Sequence, residues 1–336
     1  MPAAPDTIRE ANVRYHDLAA EHYDSKWGIN YDEVGQAQVA GKLRKALGTG
    51  MLPANGFGRA LEIGAGTGYF TLNLMRAGVI RSGVASDISP GMLRALSASA
   101  EDLGLEVETA ACEASQLPFE DDSFDLVFGH AVLHHLPDLP GAFREFRRVL
   151  RPGGVVAFCG EPSRYGDRLS SVPKRGALAM APLWRAALGA SPRNANGGAP
   201  AAEEDQLEQV VDVHAFTPGD LSRHASVAGF ADVHVSGEEL AASLFGWANR
   251  TLEGTAEPSD VPWAWRVYAY RGYLLLQRLD RSLLEPRLPA ALFYNLLVSA
   301  RAPALAGPRR ARAARRAARR RERVRAGRPA APPPPP

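Results

Sequence analysis

Apolar and polar positions follow two different periods between residues 59 and 160. Short apolar runs of strand length recur there, and the segments between them carry apolar side chains at helical spacing. Leu139, Phe143 and Phe146 show that spacing, which predicts a helix with one buried face. The strand candidates are "RALEI" at 59–63, "SGVASD" at 82–87, "LEVETAAC" at 105–112, "FDLVFGH" at 124–130 and "VVAFC" at 155–159. Because strands that alternate with helices form parallel sheets covered on both faces, we predict an α/β fold with a doubly wound, mostly parallel sheet.

Capping residues support this assignment at two helices. Ser89 suits an N-cap, Pro90 suits the first helical position, and Gly104 suits the stop. Further along the chain, Thr217 and Asp220 have the spacing of a capping box, with Asp in the place of the usual Glu. Both patterns predict where a helix begins.

The regular pattern breaks after the fifth strand. Residues 162–215 are rich in Gly, Pro, Ala and Arg, and "SPRNANGGAPAAEED" within them is typical of a flexible loop. Two more strands are predicted at "ADVHV" and "ALFYNLLVSA", which complete a seven-stranded sheet. Residues 238–289 between them are predicted to insert a helical pair. We interpret its six aromatic residues mainly as the core of that pair, the alternative being the lining of an apolar ligand pocket: Trp247, Trp263, Trp265, Tyr268, Tyr270 and Tyr273.

Composition indicates in which compartment the protein is expected and how large its core can be. Of its 336 residues 46% are hydrophobic, which is enough for one large core, yet no run reaches the 18 apolar residues of a membrane span. The first residues lack the basic and then apolar succession of a secretory leader. Cys112 and Cys159 are the only cysteines, too few for a disulfide framework or a zinc site, and both are expected to be buried strand residues. We therefore expect a cytoplasmic protein with one domain over residues 1–303.

The charge is distributed unevenly along the chain. Residues 309–328 contain eleven arginines and one acidic residue, Glu322, although the net charge of the whole chain is only +2. The chain then ends in "PAAPPPPP", a polyproline II-like segment that cannot join a core. Residues 304–336 are therefore expected to form a disordered basic tail. The alternative is a weak contact of this tail with nucleic-acid phosphates or an anionic membrane surface.

A glycine-rich loop follows the first strand. In "LEIGAGTGYF" the glycines at 64, 66 and 68 allow a tight turn and a close approach of a ligand to the backbone, and the next helix presents free N–H groups. Asp87 ends the second strand, where dinucleotide enzymes place an acid that binds a ribose hydroxyl. Tyr69, however, stands where a pyrophosphate-binding loop needs its third glycine. The loop thus favours a nucleoside without phosphates, such as S-adenosylmethionine.

Four motifs in a fixed order carry a family resemblance. They are "LEIGAGTGYF", "ASDISPGML", "EASQLPFEDDSFDLVFGHAVLHHLPD" and "FREFRRVLRPGGVVAF". With them, residues 57–160 resemble the nucleotide-binding core of class I S-adenosylmethionine-dependent methyltransferases with a type 11 domain. The resemblance implies a Rossmann-like methyltransferase fold and a cap helix over residues 7–27, where "RYHDLAAEHYDSKW" lies. It also implies that the insertions at 162–215 and 238–289 cover the substrate.

The resemblance further implies which residues bind S-adenosylmethionine and its product S-adenosylhomocysteine. Glu62 and the loop would border the methionine tail and ribose, Asp87 would accept from both ribose hydroxyls, and Ile88 would lie against the adenine. Glu113 stands where the family usually has Asp, near the adenine amino group. Tyr15 or Tyr23 would close the site. The implied set is Tyr23, Glu62, Gly64, Ala65, Gly66, Gly68, Asp87, Ile88, Glu113, Ala114 and His130.

Three residues are candidates for acid–base chemistry. His130 ends the fourth strand, where the sulfonium is expected, and is either a general base or a lining residue. His134 follows in the "HHLPD" turn and is ambiguous. Glu161 ends the fifth strand and either binds a polar acceptor or pairs with Arg164 or Arg168. No metal is required for methyl transfer.

The function expected from these residues is methyl transfer to a small or lipid-like acceptor. A dinucleotide-dependent oxidoreductase is an alternative that the missing third glycine disfavours. A methyltransferase that acts on nucleic acid, or is tethered to it by the basic tail, is a second alternative. A cofactor-binding protein without catalytic activity is a third.

Overall fold

A computed structural model describes residues 5–20, 29–193 and 214–304. Seven strands form its single sheet. They are β1 (Phe57–Ile63), β2 (Ile80–Asp87), β3 (Glu108–Ala111), β4 (Phe124–His130), β5 (Leu150–Pro162), β6 (Ala231–Glu238) and β7 (Asn295–Arg301).

Nine α-helices flank the sheet or extend from it in the described ranges. They are α1 (Pro5–Ala19), α2 (Glu33–Met51), α3 (Tyr69–Arg76), α4 (Pro90–Asp102), α5 (Leu139–Val149), α6 (Arg164–Leu188), α7 (Pro218–Val227), α8 (Ala241–Gly254) and α9 (Trp263–Leu279).

The strand order places a crevice at the middle of the sheet. The order is β3-β2-β1-β4-β5-β7-β6, and the first five strands are parallel. Strand β7 runs antiparallel to both β5 and β6. The chain therefore winds outward from β1 to β3 and then returns to β4 on the other side of β1. Ligands of such sheets bind at this reversal, beside the carboxyl ends of the strands.

Helices cover the sheet on both faces, and two apolar layers result. Phe143 and Phe146 of α5 pack on one face together with Val127 of β4. The neighbouring β4 residues, Leu126 and Phe128, point to the other face, toward the layer that contains α2 and α3. Because adjacent strand residues point to opposite faces, strands buried on both sides are apolar almost throughout. The predicted seven-stranded, mostly parallel, doubly wound sheet is confirmed.

The predicted caps occur in the structure. The Ser89 hydroxyl accepts from the Met92 N–H at 3.1 Å, and Thr217 and Asp220 form a reciprocal capping box. Cys159 is buried as expected, but Cys112 is only partly buried because it lies one residue beyond the end of β3.

The first insertion, 162–215, contains a helix as the fold class predicted, but the residue pattern did not locate this helix, α6, which has 25 residues. Ser163 caps it through the Gly166 N–H at 3.2 Å. Its buried positions are small, while large apolar residues point outward, so the sequence lacks an ordinary amphipathic pattern. Pro173 and Pro182 lie inside the helix and further mask it. Residues 194–213 of this insertion lie outside the described residues.

The second insertion is the predicted helical pair, formed by α8 and α9. The interpretation of its aromatic residues as core is wrong for three of them: Trp263, Tyr268 and Tyr270 are 78%, 53% and 56% exposed. Helix α9 has no buried residue.

No helix in the described ranges is both long and apolar enough to cross a bilayer. The basic tail predicted at 304–336 lies outside the described residues from position 305 onward, as do residues 21–27 of the predicted cap helix.

Candidate active site

One cavity of about 1240 Å³ opens at the crevice and extends to the end of β6. We call its two ends the cleft and the chamber. The cleft is lined by residues 64–67 of the glycine loop, Glu62, Asp87 and Glu113, whereas Gly68 of the predicted set packs against Leu96 and Leu72 instead. The chamber is lined by Trp247 and Tyr273, for which the sequence offered a pocket lining as the alternative, and by four residues that the sequence did not suggest: Lys42, Lys45, Glu238 and Glu239.

The glycine loop has the backbone that the sequence predicted. Gly64, Gly66 and Gly68 all have positive φ, at 63°, 52° and 93°. A Cβ at Gly64 would lie 2.4 Å from a methyl group of Val132. The loop therefore needs glycine for both its conformation and its close approach to a neighbour.

Asp87 is held by the loop that it faces. Its Oδ2 accepts from the Gly66 N–H at 2.9 Å, and its Oδ1 accepts from the Ser89 N–H at 2.8 Å. Burial raises the pKa of Asp87 above its usual range, although these two amides oppose the shift. The carboxylate lines the cleft in a fixed orientation, and its remaining lone pairs can accept from a ligand hydroxyl.

Glu62 is buried deeper in the same cleft. Its Oε2 accepts from both the N–H and the hydroxyl of Thr71. Burial raises the pKa of Glu62 to about 8, against the Thr71 hydrogen bonds, and the charge of Asp87 adds to the increase. Nearby, the Thr67 hydroxyl is buried and has no hydrogen-bond partner among the described residues, although Thr67 lines the cavity. The cleft thus offers carboxylates and an unused hydroxyl to a polar, partly cationic ligand.

Helix α1 closes the cleft from above. Arg9 forms an ion pair with Glu113 at 2.8 Å, and Asp17 accepts from the Gly91 N–H at 2.8 Å. Tyr15 is buried and lines the cleft. Ala65, Ile88 and Ala114 of the implied cofactor set also line it. Tyr23, the other tyrosine of that set, lies outside the described residues.

Glu161 supports the turn that follows β4. Its carboxylate accepts from the N–H groups of Val132 and Leu133 at 3.0 Å and of His134 at 3.2 Å. The His134 ring contacts it through Nδ1 at 2.8 Å. Burial alone would raise the pKa of Glu161, but the His134 hydrogen bond and these amides outweigh it and hold the pKa below its usual value.

Neither sequence hypothesis for Glu161 matches these contacts. Its ion-pair partner is His134, not Arg164 or Arg168. Arg164 instead pairs with Asp220 at 3.7 Å and donates to the Ala215 carbonyl at 3.3 Å. Glu161 is fully buried, and its two oxygens already accept four hydrogen bonds within the protein. It positions the turn and the ring of His134, which lines the cavity.

His130 lies at the junction of cleft and chamber. Its ring stacks on Phe70 with 4.7 Å between centroids, and its Nε2 lies 3.4 Å from the Lys42 ammonium nitrogen. Burial, followed by the charge of Lys42, lowers the pKa of His130 to about 3. Since an ammonium group only donates, Nε2 is the acceptor of this contact and the imidazole is neutral. This geometry favours a lining role over that of a general base.

The chamber contains a chain of alternating charges. The Lys42 ammonium lies 2.8 Å from Glu238, Lys45 lies 3.1 Å from the other oxygen of Glu238, and Lys45 also pairs with Glu285 at 2.6 Å. Glu239 accepts from side-chain amides instead. The sequence gives little indication of this network. All that it shows is two lysines beside the apolar positions of one N-terminal helix.

Comparisons with known proteins agree with this geometry. A family model described as "Methyltransferase domain" matches residues 61–158. A malonyl-[acyl-carrier protein] O-methyltransferase of Methylococcus capsulatus is 34% identical over 227 residues, which are 67% of this chain and 72% of that protein. The malonyl-[acyl-carrier protein] O-methyltransferase of Halorhodospira halophila is 36% identical over 145 residues, which are 43% of this chain and 46% of that protein. The 27-O-demethylrifamycin SV methyltransferase of Amycolatopsis mediterranei is 32% identical over 152 residues, 42% and 55% of the two chains. This chain therefore spans about half the length of two of these three relatives.

Solved structures share the fold. Phosphoethanolamine N-methyltransferase 2 of Haemonchus contortus, in complex with S-adenosylhomocysteine, aligns with a TM-score of 0.55 at 17% identity, over 88% of this chain and 60% of that one. The [4+2]-cyclase SpnF aligns with a TM-score of 0.53 at 17% identity, over 90% and 99%. The fold, the glycine loop with its acidic residues and these relatives together show that the chain belongs to the class I S-adenosylmethionine-dependent methyltransferases, with S-adenosylmethionine as its cofactor.

Proposed function

We propose that the chain transfers a methyl group from S-adenosylmethionine, bound in the cleft, to a small molecule bound in the chamber. One observation carries this proposal: cleft and chamber are a single cavity, and His130 lies where they meet. At about 1240 Å³ the cavity exceeds the usual range for one ligand, so it has room for a donor and an acceptor together. Because the chain belongs to the methyltransferases, a dinucleotide-dependent oxidoreductase is no longer an alternative.

Each cleft residue then binds a different part of the donor. Asp87 accepts from the ribose hydroxyls, in the orientation that Gly66 and Ser89 give it. Glu62 pairs with the ammonium of the methionine tail, and Thr67 adds a hydroxyl nearby. Glu113 accepts from the adenine amino group, while its ion pair with Arg9 holds the longer side chain in place.

Ile88 and Ala114 complete the adenine site as apolar wall and backbone donor. The loop residues Gly64, Ala65 and Gly66 provide the surface against which the donor lies, and Gly68 supports the loop from behind, against Leu96 and Leu72. Helix α1 excludes water from above through its contacts with Glu113 and Gly91.

The protein's part in the chemistry is positioning. S-adenosylmethionine supplies a methyl carbon that its sulfonium already activates. The chain aligns the acceptor with that carbon and keeps water out, which suffices for an in-line displacement. In this proposal His130 forms the wall at the junction, Glu161 fixes the turn, and the His134 ring, which also lines the cavity, contacts the acceptor.

The chamber favours a compact organic acceptor. Aromatic rings of Trp247, Tyr273 and Tyr294 form one wall of it, and the charged network of Lys42 and Glu238 forms a second wall that adjoins the first at Tyr273. The relatives named above act, by their names, on an acyl group held by a carrier protein and on a rifamycin, so their acceptors differ widely. A small or lipid-like molecule with an apolar part and a polar end fits both walls.

The test has two readouts on the full chain. Calorimetry with S-adenosylhomocysteine measures whether the cleft binds the spent donor. Incubation of the protein with labelled donor and a small-molecule extract measures methyl transfer, and Asp87→Ala is the variant expected to weaken both donor binding and transfer. Folded protein that ignores S-adenosylhomocysteine would contradict the proposal, and so would binding without transfer in extracts from several growth conditions.

A further inference from the structure

Helix α6 carries a row of large apolar side chains on its exposed surface. The row consists of Tyr165, Leu169, Val172, Met180 and Leu183, and each of them is between 40% and 67% exposed. Their spacing along the sequence places them on one side of a helix. We call this row the apolar stripe. The buried positions of α6 are others and are all small: Gly166, Ser170, Ala177 and Ala181. The stripe is therefore not what packs α6 onto the protein.

A row of arginines runs along one edge of the stripe. Arg164, Arg168 and Arg175 recur at intervals of four and seven residues, so they share one line on the helix, and all three are exposed. Arg164 pairs with Asp220 at 3.7 Å, whereas no acidic side chain in the described ranges pairs with Arg168 or Arg175. Over its whole length α6 contains five basic residues and one acidic residue. The stripe thus lies beside an excess of positive charge.

This combination indicates the kind of partner. Apolar side chains scattered singly on a surface are ordinary, but a contiguous row of five is typical of an interaction surface. A second copy of the chain would bring the same excess of positive charge to the contact, whereas the arginines favour a negatively charged partner. An anionic membrane surface provides both requirements, because apolar residues enter the boundary of the acyl chains while guanidinium groups meet the headgroups.

Two further features of the chain favour a lipid surface. Residues 309–328 contain eleven arginines and one acidic residue, and anionic lipids attract segments of this composition. Trp263 is 78% exposed at the start of α9, two positions before Trp265, whose ring contacts Trp184 of α6 at 5.1 Å between centroids. It therefore lies near the C-terminal end of α6. Tryptophan is enriched where a membrane meets water.

We infer that the apolar stripe and the arginines beside it bind the surface of an anionic membrane, with α6 lying in the plane of the interface. No residue of α6 lines the cavity, so this surface is separate from the proposed site of methyl transfer. The inference therefore does not depend on the acceptor or on the reaction.

The first test is flotation of purified full-length protein with vesicles. The wild type should bind vesicles of phosphatidylcholine with about 30% phosphatidylglycerol at least about tenfold more tightly than vesicles of phosphatidylcholine alone. Val172→Ser combined with Leu183→Ser should weaken binding to the anionic vesicles about tenfold, because two apolar side chains are lost while every charge remains. Wild-type protein that ignores anionic vesicles would overturn the inference. Unchanged binding of the double variant would also overturn it, since the basic tail would then account for the attraction.

Val34→Ser combined with Val227→Ser is the matched control for the stripe. These two valines are 52% and 81% exposed, and they lie on α2 and α7. The control variant loses as many apolar side chains from the surface as the stripe variant and should bind vesicles like the wild type. Equal losses in the two double variants would show that the stripe has no special role.

A second pair of variants tests the arginines. Arg168→Gln combined with Arg175→Gln should weaken binding to anionic vesicles about tenfold. Arg94→Gln combined with Arg144→Gln removes two exposed arginines from α4 and α5 and should weaken binding much less. Equal losses in these two variants would mean that net charge alone drives binding, which contradicts a surface built on α6.

Stability and molecular mass test other occupants of the stripe. Without vesicles, Val172→Ser combined with Leu183→Ser should leave the melting temperature close to that of the wild type, because both side chains are exposed. Light scattering should give the same mass for both proteins. A large loss of stability would show that another part of the chain covers the stripe, and a smaller mass in the variant would show that a second copy does. Either result would overturn the inference.

Brominated acyl chains identify the surface that contacts the lipid. Val172→Trp adds an indole ring to the stripe, and Val227→Trp adds the same ring to α7. With brominated anionic vesicles, the fluorescence that the new ring adds to that of the wild type should be quenched in Val172→Trp and not in Val227→Trp. Equal quenching in the two variants, or quenching in Val227→Trp alone, would contradict the assignment of the stripe to the membrane.

Discussion

The cleft and the chamber form one cavity but are built in different ways. The cleft takes its floor from one continuous stretch between Glu62 and Glu113, and backbone amides of that stretch fix Asp87. The chamber is assembled from side chains far apart in sequence; Lys45 and Glu285, for example, are 240 positions apart. A site made of local backbone can bind only what fits its backbone geometry. A site made of distant side chains can change its ligand by single substitutions while the fold remains. The donor is therefore a property of the fold, whereas the acceptor is a property of a few residues.

The largest effect is expected where the cleft depends on bare backbone. Gly64→Ala would place a methyl group 2.4 Å from Val132 on a residue with φ of 63°. Left-handed backbone and overpacking together should lower the free energy of unfolding by about 2–5 kcal/mol. Urea denaturation measures this.

Gly104→Ala is its matched control. Gly104 has nearly the same φ, 65°, but no atom lies within 4 Å of an added Cβ. Only the backbone cost of about 1–2 kcal/mol should remain. Equal losses in the two variants would mean that close contact is not what the loop requires.

The next effect concerns donor affinity. Asp87→Ala should weaken S-adenosylhomocysteine binding by about 1–3 kcal/mol, because ribose hydroxyls lose a charged acceptor and the Gly66 amide loses its partner. Calorimetry gives the affinity. Asp87→Asn keeps one oxygen that can accept one of these hydrogen bonds, so it should lose less affinity for S-adenosylhomocysteine. Unchanged affinity in Asp87→Ala would contradict the assignment of Asp87 to the ribose hydroxyls.

The same contrast explains what the sequence could predict. The positions of the strands, the Ser89 cap and the backbone of the glycine loop depend on neighbours in sequence, and all were predicted correctly. The role of Glu161 depends on amides 27 to 29 positions away, so its sequence context pointed to the wrong arginines. Lys42 contacts His130 across 88 positions, and no local pattern marks such a meeting. Helix α6 was missed because its buried face is made of small residues such as Ala177 and Ala181.

A third prediction uses the charge of the donor. The pKa of Glu62 is raised to about 8, so at pH 6.5 the folded protein without ligand holds this proton. If its carboxylate pairs with the ammonium of the methionine tail, binding must release close to one proton. Calorimetry of S-adenosylhomocysteine at pH 6.5 in buffers of different ionisation enthalpy counts it. Glu62→Gln should abolish the release, and zero release in the wild type would contradict the pairing.

The same shift makes the ligand-free protein sensitive to pH. Below the unfolded pKa of about 4.5, both states keep the proton. Between about 4.5 and about 8 the unfolded chain loses it while the folded protein retains it, so this residue makes the free energy of unfolding fall as pH rises. Glu62→Gln should flatten that part of the stability profile. A contribution of the opposite sign would show that the carboxylate is ionised in the fold.

The smallest effect tests whether the two ends of the cavity are independent. Tyr270 lines the chamber but is 56% exposed, whereas Tyr15 lines the cleft and is 9% exposed. Tyr270→Ala should change the free energy of unfolding by no more than about 0.5 kcal/mol, as is usual for exposed positions, and should leave S-adenosylhomocysteine affinity unchanged. Tyr15→Ala removes a buried ring above the donor and should weaken that affinity measurably. Because both substitutions delete the same side-chain atoms, a difference in their effects on donor affinity depends only on where the two tyrosines lie. If Tyr270→Ala weakened donor binding as much as Tyr15→Ala, the chamber and the cleft would be energetically coupled, and a substitution that alters the acceptor could no longer be expected to leave the donor site intact.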